Sequence, residues 1–118
     1  VEDNCAAIDL VLRKGEPGGV YNVGGGNEIE NLDLTRRILA LLGKDEGLVR
    51  YVADRPGHDR RYAVDCAKLR ALGWAPRTSF EDGLAATVAW YRDHRAWWEP
   101  IKSGEFRRYY EEQYKGLA

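Results

Sequence analysis

The residues best suited to chemistry form an arginine-rich loop, which we define as residues 54–62 with the sequence DRPGHDRRY. Three arginines and one histidine occur within seven positions of this loop. A guanidinium presents a planar fork of donors that binds two phosphate oxygens together, and a Pro-Gly turn lets the backbone approach a ligand closely. The loop therefore favours a diphosphate ligand. Arg55 is the better candidate, because residues 61–64 are predicted to be a strand whose successive side chains face opposite ways.

The same loop allows a second interpretation, in which its arginines only pair with nearby carboxylates on a solvated surface. The carboxylates close along the chain are Asp54, Asp59 and Asp65. Composition alone does not separate a phosphate site from a solvated surface, so both interpretations stay open at this point.

A weaker candidate is the glycine-rich segment, defined as residues 24–28 with the sequence GGGNE, which precedes Asn31 at a predicted helix start. Backbone N–H groups at such a position can bind an anion. The spacing does not match G-x-G-x-x-G, so the segment gives no dinucleotide fingerprint. We favour a purely structural turn for this segment.

The sequence gives no support for a catalytic triad or a metal centre. Its only histidines are His58 and His94, and neither has a Ser or Cys at a spacing typical of a nucleophile and its base. Cys5 and Cys66 have neither C-x-x-C spacing nor a histidine-rich neighbourhood, which argues against zinc and against a disulfide scaffold. We predict no catalytic residue, no metal and a reducing compartment.

The elements that position these residues are predicted to alternate between helix and strand. Apolar spacing and capping signals predict five helices, at residues 1–15, 31–42, 65–72, 78–98 and 103–114. Thr78 with Glu81 is expected to form a capping box, and Pro100 to end that helix. Short runs of strand-forming residues predict three strands, at residues 20–23, 48–52 and 61–64. The fold class is therefore α/β and mainly helical, with strands that suggest pairing to a sheet outside this sequence.

The composition limits the classes of protein to which the chain can belong. It has 118 residues, of which 44% are apolar and 31% charged, as in a soluble globular protein with one domain. The net charge of −1 gives no general attraction to nucleic acid or to an anionic membrane. No apolar run is long enough to span a bilayer and no signal-like segment opens the chain, so we expect a cytoplasmic location. We expect no nucleic-acid or membrane partner.

Five segments of the chain resemble one family, in the same order. They are VEDNCAAIDLVLRKG, YNVGGGNEIENLDL, YVADRPGHDRRYAVDCAKLRALGW, FEDGLAATVAWY and KSGEFRRYYEEQY. Together they are similar to the last third of bacterial dTDP-glucose 4,6-dehydratases, which are extended short-chain dehydrogenases/reductases. The opening segment is shared with sugar-nucleotide epimerases. The block DRPGHDRRYAVD is narrower, because epimerases and GDP-mannose dehydratases tend to have a shorter motif without HDRRY.

The resemblance implies an NAD-dependent lyase that converts dTDP-glucose to dTDP-4-keto-6-deoxyglucose and water. Residues 1–118 would be its single, carboxy-terminal substrate-binding domain, with the NAD-binding Rossmann half absent. The family's Tyr-x-x-x-Lys pair and glycine fingerprint do not occur in the sequence, so this chain alone is expected to be inactive and to bind no NAD. The residues that the resemblance places at dTDP-glucose or dTDP are Asn31, Asp54, Arg55, Pro56, Gly57, His58 and Tyr114.

Two alternatives to this assignment stay open. One is another sugar-nucleotide epimerase or dehydratase of the same family. The other is a non-catalytic interaction module, whose surface is formed by Trp90, Trp97, Trp98 and the tyrosines of the last helix. We also expect a homodimer or another form of self-association, because apolar surface that meets the absent half is exposed. The pathway, whether rhamnose supply or antibiotic deoxysugars, stays open as well.

Overall fold

The computed structural model describes residues 1–102 and 104–113, and in these residues it contains six α-helices, one 3₁₀ helix and no β-strand. The helices are α1 (Glu2–Lys14), α2 (Asn31–Leu41), α3 (Ala67–Ala71), α4 (Phe80–Asp93), α5 (Arg95–Lys102) and α6 (Glu105–Gln113). The 3₁₀ helix is Glu46–Leu48. The prediction of a mainly helical chain is confirmed, whereas the three strands are not found.

The chain divides into two compact units. The first unit contains residues 1–30 and 59–83, and the second contains residues 31–58 and the described residues from 84 onward. The division falls within α4, whose first turn belongs to the first unit. That residues 1–118 act as one substrate-binding domain stays a prediction.

The core of the first unit forms where α1 meets α3. Ala7 and Leu69 are fully buried and pack with Trp74, which is 7% exposed. Partly buried Leu10 and Val11 cover the same cluster. The indole N–H of Trp74 donates to a backbone carbonyl of α1 over 3.1 Å, so this buried donor is satisfied. The small Ala7 lets α1 approach the cluster closely, and the helix is thereby fixed against residues more than 60 positions away.

Asp3 joins α1 to the segment that leads into α4. Its carboxylate accepts the backbone N–H groups of Arg77 and Thr78, each over 3.0 Å, and its carbonyl accepts the indole N–H of Trp74. These backbone donors hold the pKa of Asp3 below its ordinary value of 3.8. The sequence indicated only a favourable position for this acid in the first turn of a helix, whereas the structure uses it as a long-range acceptor.

The predicted strands at residues 20–23 and 61–64 are not found, although their ends lie side by side in the first unit. The amide of Asn22 donates to the carbonyl of Asp65 over 3.1 Å, and the thiol of Cys66 lies 3.5 Å from the carbonyl of Gly24. Both contacts use side chains, whereas a sheet requires a ladder of backbone hydrogen bonds. The third predicted strand, at residues 48–52, is not found either, and its first residue, Leu48, is the last residue of the 3₁₀ helix.

The predicted helix at residues 78–98 is two helices, because the chain tightens at His94. The N–H of Trp97 donates to the carbonyl of His94 over 3.0 Å, a bond three residues long rather than four. The His94 ring lies 2.8 Å from the carbonyl of Trp90, which also accepts the His94 N–H. Pro100 does not end the helix as predicted but lies within α5, where the helix tolerates the loss of one N–H donor.

The helix cap at the start of α4 lies one residue after the predicted position. The hydroxyl of Ser79 accepts the N–H of Asp82 over 3.1 Å and donates to its carboxylate over 2.6 Å. The sequence had indicated Thr78 with Glu81 for this capping box. The register differs because the backbone N–H of Thr78 is already bound by Asp3.

None of the helices described here has both the length and the apolar character needed to cross a bilayer. Within residues 1–102 and 104–113, no group of three or more His, Cys, Asp or Glu side chains is arranged to hold a metal ion.

Candidate functional site

The first part of the arginine-rich loop is a tight turn at residues 54–58, in the second unit. The N–H of His58 donates to the carbonyl of Arg55 over 3.3 Å, and Gly57 has φ of +70°. Pro at the second position and a residue with positive φ at the third are typical of a type II turn. Because an L side chain is strained at this φ, the turn requires glycine at position 57. The sequence interpretation of this segment as a ligand-approaching turn is consistent with that geometry.

The carboxylate of Asp54 contacts two other residues of this turn. One of its oxygens accepts the backbone N–H of Arg55 over 2.9 Å and lies 2.6 Å from Nδ1 of His58. The hydrogen bond from His58 is the main reason that the pKa of Asp54 lies below its ordinary value of 3.8, and the N–H of Arg55 adds to it. Asp54 is therefore ionised near neutral pH, and one of its oxygens is bonded within the turn.

Arg55 differs in its environment from Arg61 of the same loop. In the described residues, no carboxylate forms an ion pair with its guanidinium, whereas Arg61 pairs with Glu28 over 2.6 Å. The surface pairing considered from the sequence is not found for Asp54 and Asp65, which contact His58 and Arg70 instead. The guanidinium of Arg55 is thus available to an external anion.

The glycine-rich segment lines a pocket of about 570 Å³ within the first unit. The opposite wall is formed by residues 61–64, and Asp59 and Phe80 complete the lining. A Cβ placed on Gly24 would come within 2.9 Å of a methyl group of Val64, so glycine is needed for this close approach. Glu28 and Arg61 both line the pocket and form an ion pair. The positive charge of Arg61 is therefore neutralised by Glu28.

Five of the six described site residues share the turn at residues 54–58, and the sixth is Asn31. Asn31 is exposed at the first position of α2, where its carbonyl accepts the hydroxyl of Thr35 over 2.8 Å. Asp54, Arg55, Pro56, Gly57 and His58 share the turn. Tyr114 lies outside the described residues. None of the six described site residues lines the pocket beside the glycine-rich segment, and their convergence on one ligand stays a prediction.

Sequence reasoning missed Glu28 as the partner of Arg61. The two residues are 33 positions apart, and each lies in a segment whose pattern indicates a turn or a strand. A local pattern carries no signal for such a pair, because the spacing between the segments is set by the fold. The pair explains why the guanidinium of Arg61 is less open to a ligand than that of Arg55.

The chain is similar over most of its length to enzymes with known activities. The sequence model described as GDP-mannose 4,6 dehydratase matches residues 1–87. The dTDP-glucose 4,6-dehydratase of Streptomyces niveus is 56% identical over 104 residues, which cover 87% of this chain and 31% of that enzyme. The resemblance stated from the sequence motifs is thus confirmed.

Solved structures of the same enzyme class share the fold of this chain. The dTDP-glucose 4,6-dehydratase of Streptomyces venezuelae, solved with NAD and TYD bound, gives a TM-score of 0.81 at 52% identity, covering 85% of this chain and 31% of that one. The enzyme of Bacillus anthracis in complex with NAD gives 0.79 at 46% identity, covering 85% and 32%. This chain therefore spans less than half the length of these relatives. Because the sequence model covers residues 1–87 of the 118, the chain belongs to the GDP-mannose 4,6 dehydratase family.

Proposed function

We propose that this chain forms the nucleotide-sugar-binding part of a dTDP-glucose 4,6-dehydratase. That enzyme is an NAD-dependent lyase that converts dTDP-glucose to dTDP-4-keto-6-deoxyglucose and water. The observation that supports the proposal best is the 56% identity over 104 residues with the Streptomyces niveus enzyme. The identity extends over 87% of this chain, so it includes more than one short motif.

The turn at residues 54–58 supports a role in binding the diphosphate. It presents the exposed guanidinium of Arg55 and the ring of His58 from a backbone that is already folded by its own hydrogen bonds. A preorganised site loses less conformational entropy when a ligand binds. In this proposal Arg55 and His58 bind the diphosphate, Asn31, Pro56, Gly57 and Tyr114 are further contacts, and Asp54 contributes to the site through its hydrogen bonds to Arg55 and His58.

The residues of this chain do not fit an NAD site of the family's kind. A dinucleotide site needs a glycine fingerprint between a strand and a helix, and the described residues contain no strand. The sequence has no G-x-G-x-x-G and no Tyr-x-x-x-Lys. We therefore assign no step of the reaction to residues of this chain and propose that NAD binds to other parts of the enzyme.

Calorimetry with dTDP tests the proposal. The wild-type chain is expected to bind dTDP weakly, and Arg55→Ala to weaken binding by about tenfold or more, because a charge-assisted hydrogen bond is lost. Arg61→Ala is the matched control, since its guanidinium is occupied by Glu28 and it is expected to leave the affinity close to wild type. Equal losses in the two variants, or no binding of dTDP to the wild-type chain, would contradict the proposal.

We also propose a cytoplasmic location and self-association. The support for self-association is apolar surface in the second unit, where the side chains of Trp97 and Ile101 are 58% and 59% exposed. Large exposed apolar residues tend to find partners. Light scattering over a range of concentrations is expected to show a mass above that of the monomer, and a constant monomer mass would contradict self-association.

A further inference from the structure

Asp54 has a position in the turn that does not suit a ligand contact. A carboxylate that faces a diphosphate is repelled by it, since both groups are negatively charged. The Asp54 oxygen that lies toward the turn already accepts the N–H of Arg55 over 2.9 Å and contacts Nδ1 of His58 over 2.6 Å. Both contacts use the same oxygen, so the carboxylate is engaged within the turn through Oδ1.

The contact with Asp54 determines which ring nitrogen of His58 carries a proton. An ionised carboxylate is only an acceptor, and the lowered pKa of Asp54 keeps it ionised near neutral pH. Nδ1 of His58 must therefore be the donor. In a neutral ring the other nitrogen, Nε2, is then an acceptor, and it cannot form a hydrogen bond with a phosphate oxygen, which is also an acceptor.

We propose that Asp54 is a positioning residue that holds the Nδ1–H group of His58 and so fixes the ring with Nε2 toward the ligand. Nε2 can donate to a phosphate oxygen only from a ring that carries a proton on both nitrogens. The ligand in this inference rests on the proposed function.

Several charged residues lie near His58 along the chain. Asp54 is in direct contact with the ring, and Arg55 lies within the same turn. Asp59 and Arg60 follow along the chain with opposite charges.

The first test needs no ligand. Nitrogen-15 NMR of the ring in the free chain is expected to show the proton of neutral His58 on Nδ1. Asp54→Asn is expected to allow the Nε2–H form, because an amide can donate to Nδ1 as well as accept from it. Asp59→Asn removes the same charge from the next acid along the loop and is expected to leave the tautomer unchanged. A wild-type ring with its proton on Nε2 would overturn the inference.

A further test is whether Asp54→Asn strengthens or weakens the binding of dTDP-glucose. Simple electrostatics predicts tighter binding of an anion when a nearby negative charge is removed. The positioning role predicts weaker binding, by about tenfold, because the ring orientation is no longer imposed. Tighter or unchanged binding would overturn the inference while leaving the proposed function intact. Failure of the wild-type chain to bind dTDP-glucose would contradict the proposed function, and the tautomer in the free chain would still decide the role of Asp54.

Discussion

The core of the first unit and the turn at residues 54–58 are held together over very different distances along the chain. In the core, Asp3 contacts residues 71 to 75 positions away and Ala7 packs against Leu69. In the turn, every contact described spans four residues or fewer. The comparison teaches that stability depends on long-range packing, whereas the geometry offered to a ligand is local. Substitutions in one region should therefore leave the property of the other unchanged.

The largest effect is expected in the core. Leu69→Ala is expected to lower the free energy of unfolding by about 3 kcal/mol, because a fully buried side chain leaves a cavity. Urea unfolding followed by circular dichroism measures the change. Leu12→Ala is the control, since that side chain is 83% exposed, and it is expected to change stability by less than about 0.5 kcal/mol. Equal losses in both variants would contradict a core centred on Leu69.

A smaller effect is expected from the glycine of the turn. Gly57→Ala is expected to lower the free energy of unfolding by about 1 kcal/mol, because alanine is strained at a φ of +70°. It is also expected to weaken dTDP binding, measured by calorimetry, since the turn carries Arg55 and His58. Gly18→Ala has a similar φ of +79° in the first unit and serves as the matched control for strain alone. Weaker binding in both variants would show that the ligand geometry is not local.

The cap of α4 allows local and long-range contacts to be compared within the first unit. Ser79→Ala is expected to reduce the free energy of unfolding by about 1 kcal/mol, because the N–H of Asp82 loses its acceptor. Ser79→Thr keeps a hydroxyl at the cap and is expected to recover most of the loss. Urea unfolding distinguishes the two variants. A loss from Ser79→Ala as large as that from Leu69→Ala would break the comparison between local and long-range contacts.

The smallest effect on stability is expected from lowering the pH. The pKa of Asp3 is lower in the folded chain than its ordinary value of 3.8, because Arg77 and Thr78 donate to it. A group with a lowered pKa contributes stability that is complete above its pKa in the unfolded chain. This stability is lost as the pH falls through its pKa in the folded chain. The urea concentration at the midpoint of unfolding is therefore expected to decrease as the pH is lowered below about 4, and to decrease less steeply for Asp3→Asn. Parallel curves for wild type and variant would contradict the role of Asp3 as an acceptor.

The features that the sequence predicted well are those with local causes. The bounds of α1 follow from apolar spacing and Gly15. The helix predicted after Asp65 is also found, although its cap is Cys66 rather than Asp65, whose carboxylate accepts the N–H of Ala67 over 2.8 Å. The turn at residues 54–58 belongs to the same class, because its Pro-Gly pair and its acid lie within one short segment. The candidate site could be approached from the sequence for this reason.

The features that were missed depend on residues far apart along the chain. The partners of Asp3 and the Glu28–Arg61 pair are joined only by the fold. Strand composition at residues 20–23 was not sufficient to produce a strand, because a strand also needs a backbone partner. The predicted long helix divides at His94, whose ring and N–H both contact the carbonyl of Trp90, and periodicity does not reveal these contacts.

Trp74 provides the first unit with an optical signal of its own. Its indole is 7% exposed, whereas Trp90 and Trp97 in the second unit are 40% and 58% exposed. An indole shielded from water emits at shorter wavelength and resists collisional quenchers. Emission at the blue edge of the fluorescence spectrum should therefore report mainly on Trp74, and iodide should quench Trp90 and Trp97 first. The melting of each unit can thus be followed separately in a single unlabelled sample.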